Sequence, residues 1–516
     1  MNGDQKTGYL RRESGILLHP TSLPGPHGIG DMGAAARGFV DFLELSGQGL
    51  WQILPLGPLG SGDSPYASPS AMAGNPLLIS LHALVEEGLL SPQKLAAAPI
   101  VPAKQVDYAA TAAFKMPLLR EACRCFLEGA TSAQRSEFAA FRDASRFWLD
   151  DYALFAALKE AHGGRSWLEW EPEIAFRRPA AMDRWYQQSA AEITFHQFAQ
   201  FQFSRQWASL KQYANRHGVR IVGDIPIFVA LDSSDVWATP ELFHLDERGN
   251  PTVVSGVPPD YFSKTGQRWG NPLYRWDVMA REGYNWWVER FRVALAQLDM
   301  VRLDHFRGFQ AYWEVPALNR TAEQGRWVPG PGMALFRALE EALGAMPVIA
   351  EDLGVITPDV DALRIRLGYP GMKVLHFAFG SDERNPHLPH NYPRHCVVYT
   401  GTHDNDTTVG WYQSRPVRER DALLSYLGTK GDEINWDLMR LAIASVAAVA
   451  IVPLQDVLGL GSEARMNQPG QPTGNWGWRF VAGSLLPEQA GRLRQMAHSY
   501  GRYEPSKSPQ ETASTA

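Results

Sequence analysis

The stretch Met300-Val301-Arg302-Leu303-Asp304-His305-Phe306-Arg307-Gly308 carries residues whose types and spacing suit chemistry. Its first half alternates apolar and charged side chains, the period of a strand with two different faces. Arg302 and Asp304 therefore share one side, while Val301 and Leu303 share the other. A charge pair turned inward at the end of a buried strand is costly unless something uses it. Arg302 beside it favours the charged form of Asp304. An ionised carboxylate held in place, with no Ser, Cys or metal cluster nearby, is what a covalent nucleophile needs. A buried structural ion pair is the competing reading of the same two residues.

Further carboxylates stand at the ends of other apolar runs. Asp224 lies near the end of Val219 to Val229, Glu351 and Asp352 follow Pro347-Val348-Ile349-Ala350, and Asp404 follows His395 to Thr402. Asp224 is either a site residue or a turn cap. Adjacent strand residues point oppositely, so only one of Glu351 and Asp352 faces inward, and spacing does not say which. His403 is either a ligand for a substrate hydroxyl or a hydrogen-bonded core histidine. Three carboxylates at one mouth fit a metal site, or a pair dividing acid/base and nucleophilic work. Arg302 opposes a bound cation and no His-x-His pair accompanies them, which favours the second reading and no metal or cofactor.

The elements that must position these groups alternate. Ser14 to Pro20 and Leu50 to Pro55 read as strands separated by a helix from about Asp31 to Ser46, a βαβ unit. Val219 to Val229, Met300 onward, Pro347 to Gly354, Met372 to Phe379, His395 to Thr402 and Ile451 to Leu460 complete eight strands, with helices at Tyr284 to Leu298, Gly332 to Leu343 and Thr357 to Leu367. The fold expected is an α/β (β/α)8 TIM barrel spanning 1–516, with inserted subdomains between its strands and no C-terminal β-sandwich. Residues 79–170 read as an inserted helical subdomain and 230–277 as a loop-rich insertion at the active-site mouth, the helix from Glu192 to His217 leading back to the barrel. The three carboxylates then end the fourth, fifth and seventh strands, where a barrel collects catalytic groups.

Composition limits the partners. The 516 residues include 49 Lys and Arg against 55 Asp and Glu, a net charge of −6 with no long basic block, which argues against nucleic acid and anionic membrane. The longest apolar run, Leu441 to Val452, is broken by Ser445 and ends at Pro453, too short to span a bilayer. Three cysteines and an N-terminus without an apolar core give a cytoplasmic expectation. With 17 Trp, 17 Tyr and 23 Phe, many beside Gly, Pro and Asn, the chain has flat rings to offer the C–H faces of sugars. The tail from about Pro505 reads as disordered.

Taken together, Asp224-Ile225-Pro226-Ile227-Phe228-Val229, Arg302 to Gly308, Ala350-Glu351-Asp352-Leu353-Gly354 and Thr402-His403-Asp404-Asn405 resemble the amylomaltases, the 4-α-glucanotransferases of glycoside hydrolase family 77 in the α-amylase clan. Asp63-Ser64-Pro65-Tyr66, Ala73 to Ile79, Trp269-Gly270-Asn271-Pro272, Arg465 to Gly470 and Gly474 to Arg479 extend the resemblance over about residues 10 to 500. It departs at Met72, where the family often has an aromatic, and at Gln471, where Thr is common. The resemblance implies Asp304 as nucleophile, Glu351 as acid/base and Asp404 as transition-state stabiliser. Arg302, His403 and Asp224 would hold the sugar at the cleavage point, and Ser64, Tyr66, Gln267, Trp269 and Asn475 would line the groove. The substrates implied are α-1,4-glucans such as maltooligosaccharides and amylose, with glucose or maltose as acceptor. Val253 to Asn271, with Tyr261, Phe262 and Trp269, is the candidate lid. An α-glucan hydrolase of the same clan and a non-catalytic glucan-binding protein are the alternatives.

Overall fold

The computed structural model describes residues 10–98, 102–259 and 263–503. Tyr261, Phe262 and the tail from Pro505 lie outside these residues. Twelve strands form among the described residues. They are β1 (Glu13–Leu17), β2 (Leu50–Gln52), β3 (Arg220–Ile225), β4 (Val253–Val257), β5 (Gln267–Pro272), β6 (Met300–Leu303), β7 (Ala311–Pro316), β8 (Arg326–Pro329), β9 (Val348–Ala350), β10 (Gly371–Val374), β11 (Cys396–Tyr399) and β12 (Val449–Pro453).

Eight of them, β1, β2, β3, β6, β9, β10, β11 and β12, form one sheet in which each pairs in parallel with its neighbour in chain order except β9 with β10, and β12 returns to β1. The seam between β9 and β10 is bridged where Ala350 N donates to Pro370 O at 2.9 Å. This is the (β/α)8 barrel, and the strands are short apolar runs because both of their faces are covered. All five residues of β12, for example, are buried. Helices Ala34–Leu45, Asn285–Gln297, Gly332–Leu343, Pro358–Leu367 and Ile434–Ala444 cover the outside.

Between β2 and β3 the chain makes a long helical excursion that includes Tyr108–Gly129, Ser132–Ala144, Arg146–Ala161 and Ala190–Arg216. Phe126, Phe138, Phe198 and Phe201 interlock three of these helices with ring centroids 5.2–6.0 Å apart. Lys115 is buried in the same region and donates to the carbonyls of Leu77 at 2.6 Å and Ile79 at 2.7 Å, pinning the excursion to the barrel's own loops.

Two expectations are corrected. Part of the aperiodic stretch 230–277 is strand: β4 and β5 join β7 and β8 in a four-stranded antiparallel sheet, β5-β4-β7-β8. Its residues lack clean alternation because β4 and β5 shift register between Val254 and Gly256. The last barrel strand ends at Pro453, and Leu454–Val457 is helical where Ile451 to Leu460 reads as strand. Pro453 takes the N-cap position of that helix, so the apolar run changes period midway. Beyond β12 the described residues form helices and turns without a further strand. No helix of the described residues is long and apolar enough to cross a membrane.

Candidate active site

The parallel register brings the charges together. Asp224 of β3 lies directly opposite Arg302 of β6, so both project to the same side of the sheet. Arg302 is buried and forks: Nη1 lies 2.5 Å from Asp224 Oδ2 and Nη2 lies 2.9 Å from Asp304 Oδ1. The fork suits a guanidinium and no other side chain. Tyr66 donates its hydroxyl to the same Asp224 Oδ2 at 2.7 Å, and burial beside that carboxylate raises the phenol well above its ordinary range. Burial pushes Asp224 up to about 6, Arg302 opposing the rise and Asp304 adding to it. Asp224 Oδ1 is buried with no hydrogen-bond partner among the described residues.

One strand further, Leu303 of β6 pairs with Ala350 of β9, and Glu351 N donates to Leu303 O at 3.0 Å. Asp304 and Glu351 thus leave neighbouring strands at the same level. Glu351 is half-buried and accepts two backbone amides, His305 N on Oε2 and Leu353 N on Oε1, each at 2.7 Å. Burial pushes it up to about 7; Asp304 adds to the rise, while Arg302 and the two amides oppose it. Asp352 points the other way: it accepts Met372 N at 2.6 Å and pairs with Arg364 Nε at 3.1 Å on the barrel's outer layer. Gly371 accommodates it, since a Cβ there would lie 2.1 Å from Asp352 Oδ2. The choice between Glu351 and Asp352 left open by spacing falls to Glu351 at the mouth.

Asp404 sits five residues past the end of β11, in a turn held by Thr402 and Asn405. Its Oδ1 accepts Asn467 Nδ2 at 2.6 Å and lies 3.4 Å from His403 Nε2, and its backbone carbonyl accepts Arg465 Nη2 at 2.7 Å. His403 is buried and stacks on Tyr66 at 5.2 Å and 15°, with Trp476 closing the cluster. One set of side chains therefore links β3, β6, β9 and the loop after β11 around one mouth.

A family model described as 4-alpha-glucanotransferase matches residues 18–483. The 4-alpha-glucanotransferase of Thermus thermophilus is 55% identical over 501 residues, 96% of this chain and 99% of that one. That of a Synechocystis species is 53% identical over 95% of this chain and 98% of its own. Among solved structures, an amylomaltase from Streptococcus agalactiae in complex with acarbose superposes with a TM-score of 0.93 at 38% identity, covering 96% of this chain and all of that one. The chain belongs to the 4-alpha-glucanotransferase family.

In this 4-alpha-glucanotransferase the remaining residues expected to line the groove make different contacts. Trp269 is exposed on β5 and meets the ring of His305 edge-on at 4.7 Å, and its Nε1 donates to Gln267 Oε1 at 3.2 Å. Ser64 caps the short turn Pro65–Ala67 by accepting Tyr66 N at 3.2 Å, so it positions Tyr66. Asn475 spends its amide within its own loop, accepting Gln468 N and donating to Gln471 O, each at 2.9 Å. Asn467 carries no spacing signal that marks it, because its partner Asp404 is 63 residues away. No spacing signal marks His305 either, although its backbone N donates to Glu351 Oε2.

The one group of His, Cys, Asp and Glu close enough to share a metal ion among the described residues is Glu160, Glu192 and His196 on the helical excursion. Arg120 already bridges both glutamates there. At the barrel mouth the corresponding position between the carboxylates is held by the Arg302 guanidinium.

Proposed function

We propose that the barrel mouth carries out 4-α-glucanotransfer on α-1,4-glucans by a retaining double displacement. The observation that carries this reading is the in-register placement of Asp304 and Glu351 on adjacent strands. Neighbouring strands lie about 4.8 Å apart, close to the carboxyl separation of about 5–5.5 Å that retaining enzymes use. Asp304, fixed by Arg302, attacks the anomeric carbon while protonated Glu351 gives its proton to the departing glucan oxygen. The products of this step are the shortened glucan and a glucosyl ester of Asp304. Glu351, now a base, removes the proton from the 4-hydroxyl of glucose, maltose or a longer glucan, which displaces Asp304 and restores the acid.

Asp404, oriented by Asn467, binds sugar hydroxyls more strongly as positive charge grows on the ring, where binding lowers the barrier. Asp224 Oδ1 and His403 face the same sugar. Transfer over hydrolysis requires that water be kept from the ester, and the exposed ring of Trp269, packed against His305 next to Asp304, supports a covering role for it.

Incubation with maltotriose tests the reading. Transfer yields glucose together with maltooligosaccharides longer than maltotriose; glucose and maltose alone would show a hydrolase. Loss of turnover in Asp304→Asn separates both from a protein that only binds glucan.

A further inference from the structure

His305, directly after Asp304, has a backbone φ of 50°, a left-handed conformation uncommon for a residue with a Cβ. Phe306 follows in the right-handed region, at φ −52° and ψ −33°. This left-then-right pair turns two successive amides in one direction, a small anion-binding concavity. Glu351 occupies it with both of its oxygen-bearing groups. His305 N donates to its carboxylate Oε2 at 2.7 Å, and Phe306 N donates to its carbonyl at 3.1 Å. The residue that follows one carboxylate thus holds the other.

The His305 ring is fixed from two sides. Trp269 of β5 packs edge-on against it at 4.7 Å. Gly308 leaves room for it, since a Cβ there would come within 3.1 Å of His305 Cδ2 and 2.7 Å of Ile227 Cδ1. Among the described residues the ring makes no hydrogen bond through Nε2, and burial pushes the imidazole down to about 4, which favours its neutral form.

We propose that His305 is a positioning residue whose left-handed backbone, gripped through its ring by Trp269 of the small sheet, aims an amide at Glu351 and sets how readily that carboxyl releases its proton. This rests on Glu351 being the acid/base. The groups facing Glu351 are Arg302 and Asp304 at the end of β6, the neutral His305 and the amide of Leu353; Asp352 points away to Arg364. An amide donated to a carboxylate favours the ionised form, so withdrawing it makes Glu351 a weaker acid.

The experiment is the pH profile of kcat/KM with maltotriose for three replacements at 305 and one at 269. Gly and Asn tolerate the left-handed conformation, and Ala does not. His305→Ala should move the alkaline limb upward by about one pH unit. His305→Gly and His305→Asn should keep the limb where it is, even where KM rises through loss of the ring. Trp269→Ala should move the limb in the same direction as His305→Ala. An unmoved limb in His305→Ala, or the same shift in all three variants at 305, overturns the backbone role, and an unmoved limb in Trp269→Ala overturns the role of the sheet. Glu351→Gln serves as the separate control: full turnover in that variant would remove the acid/base assignment itself, whatever the 305 series gives.

Discussion

Asn467 donates its side-chain amide to Oδ1 of Asp404 at 2.6 Å, tying the loop after β12 to the loop after β11. Asp404 projects from a turn five residues beyond its strand, and its side chain is nearly half exposed. A carboxylate so placed needs an external hold, and Asn467 supplies it. Replacing Asn467 by Ala should lower kcat for maltotriose by about 10–100-fold, the size expected for one lost hydrogen bond to a charged group. KM should change little, because Asp404 is assigned to the transition state rather than to ground-state binding. Steady-state kinetics over a range of maltotriose concentrations separates the two.

The raised position of Glu351 gives the activity a pH dependence of known sign. The protonated form is the acid, so kcat/KM should fall as pH rises through about 7. Stability follows the same direction. The folded protein holds this proton more tightly than the unfolded chain, so the contribution is complete below the ordinary Glu value of 4.5 and lost as pH rises through about 7. Thermal melts from pH 4.5 to 8 should therefore fall less steeply for Glu351→Gln than for the parent protein.

Arg302 is the cation on which two carboxylates depend. Arg302→Met should destabilise the protein by about 3–5 kcal/mol at pH 8, because it leaves buried Asp224 uncompensated. At pH 5 the loss should shrink, since Asp224 is already pushed up to about 6 and takes a proton there. Adding Asp224→Asn to Arg302→Met should recover part of the loss at pH 8. Denaturant unfolding of the parent protein, the single variant and the double variant at both pH values checks this.

Lys115 tests the attachment of the helical excursion. Its ammonium satisfies two carbonyls and lies 3.9 Å from Asp31, and burial pushes it down to about 8. The unfolded chain keeps this proton up to the ordinary Lys value of 10.5, so stability gains from this group as pH rises from about 8 to 10.5. Lys115→Met should destabilise by about 3–5 kcal/mol at pH 7 and flatten that rise. Melting curves at pH 7 and 10 measure both effects.

Much of the barrel is legible in the sequence because its strands are continuous apolar runs ending in charged residues. The period-2 pattern at Met300 to Asp304 correctly places Arg302 and Asp304 on one side, and the parallel register then supplies Asp224 opposite Arg302. The small antiparallel sheet is not legible, because a register shift and exposed Gln267, Arg268 and Trp269 leave no alternation to read. Asn467 and His305 escape for a different reason. Their contributions are a tertiary hydrogen bond and a backbone angle, and neither has a composition. The orientation of Glu351 against Asp352 likewise required the partners Met372 and Arg364 to be seen.

We propose that Asp304 carries the glucosyl group between donor and acceptor. In Glu351→Gln, a donor whose leaving group needs no proton, α-glucosyl fluoride, still permits the first displacement, but the base for the second is missing. The glucosyl ester should therefore accumulate. Mass spectrometry of the peptide containing Met300 to Gly308, after an acid quench, is expected to show one added glucosyl unit on Asp304. A glucosyl unit on another residue, or fluoride release with no adduct on the chain, would contradict this role of Asp304.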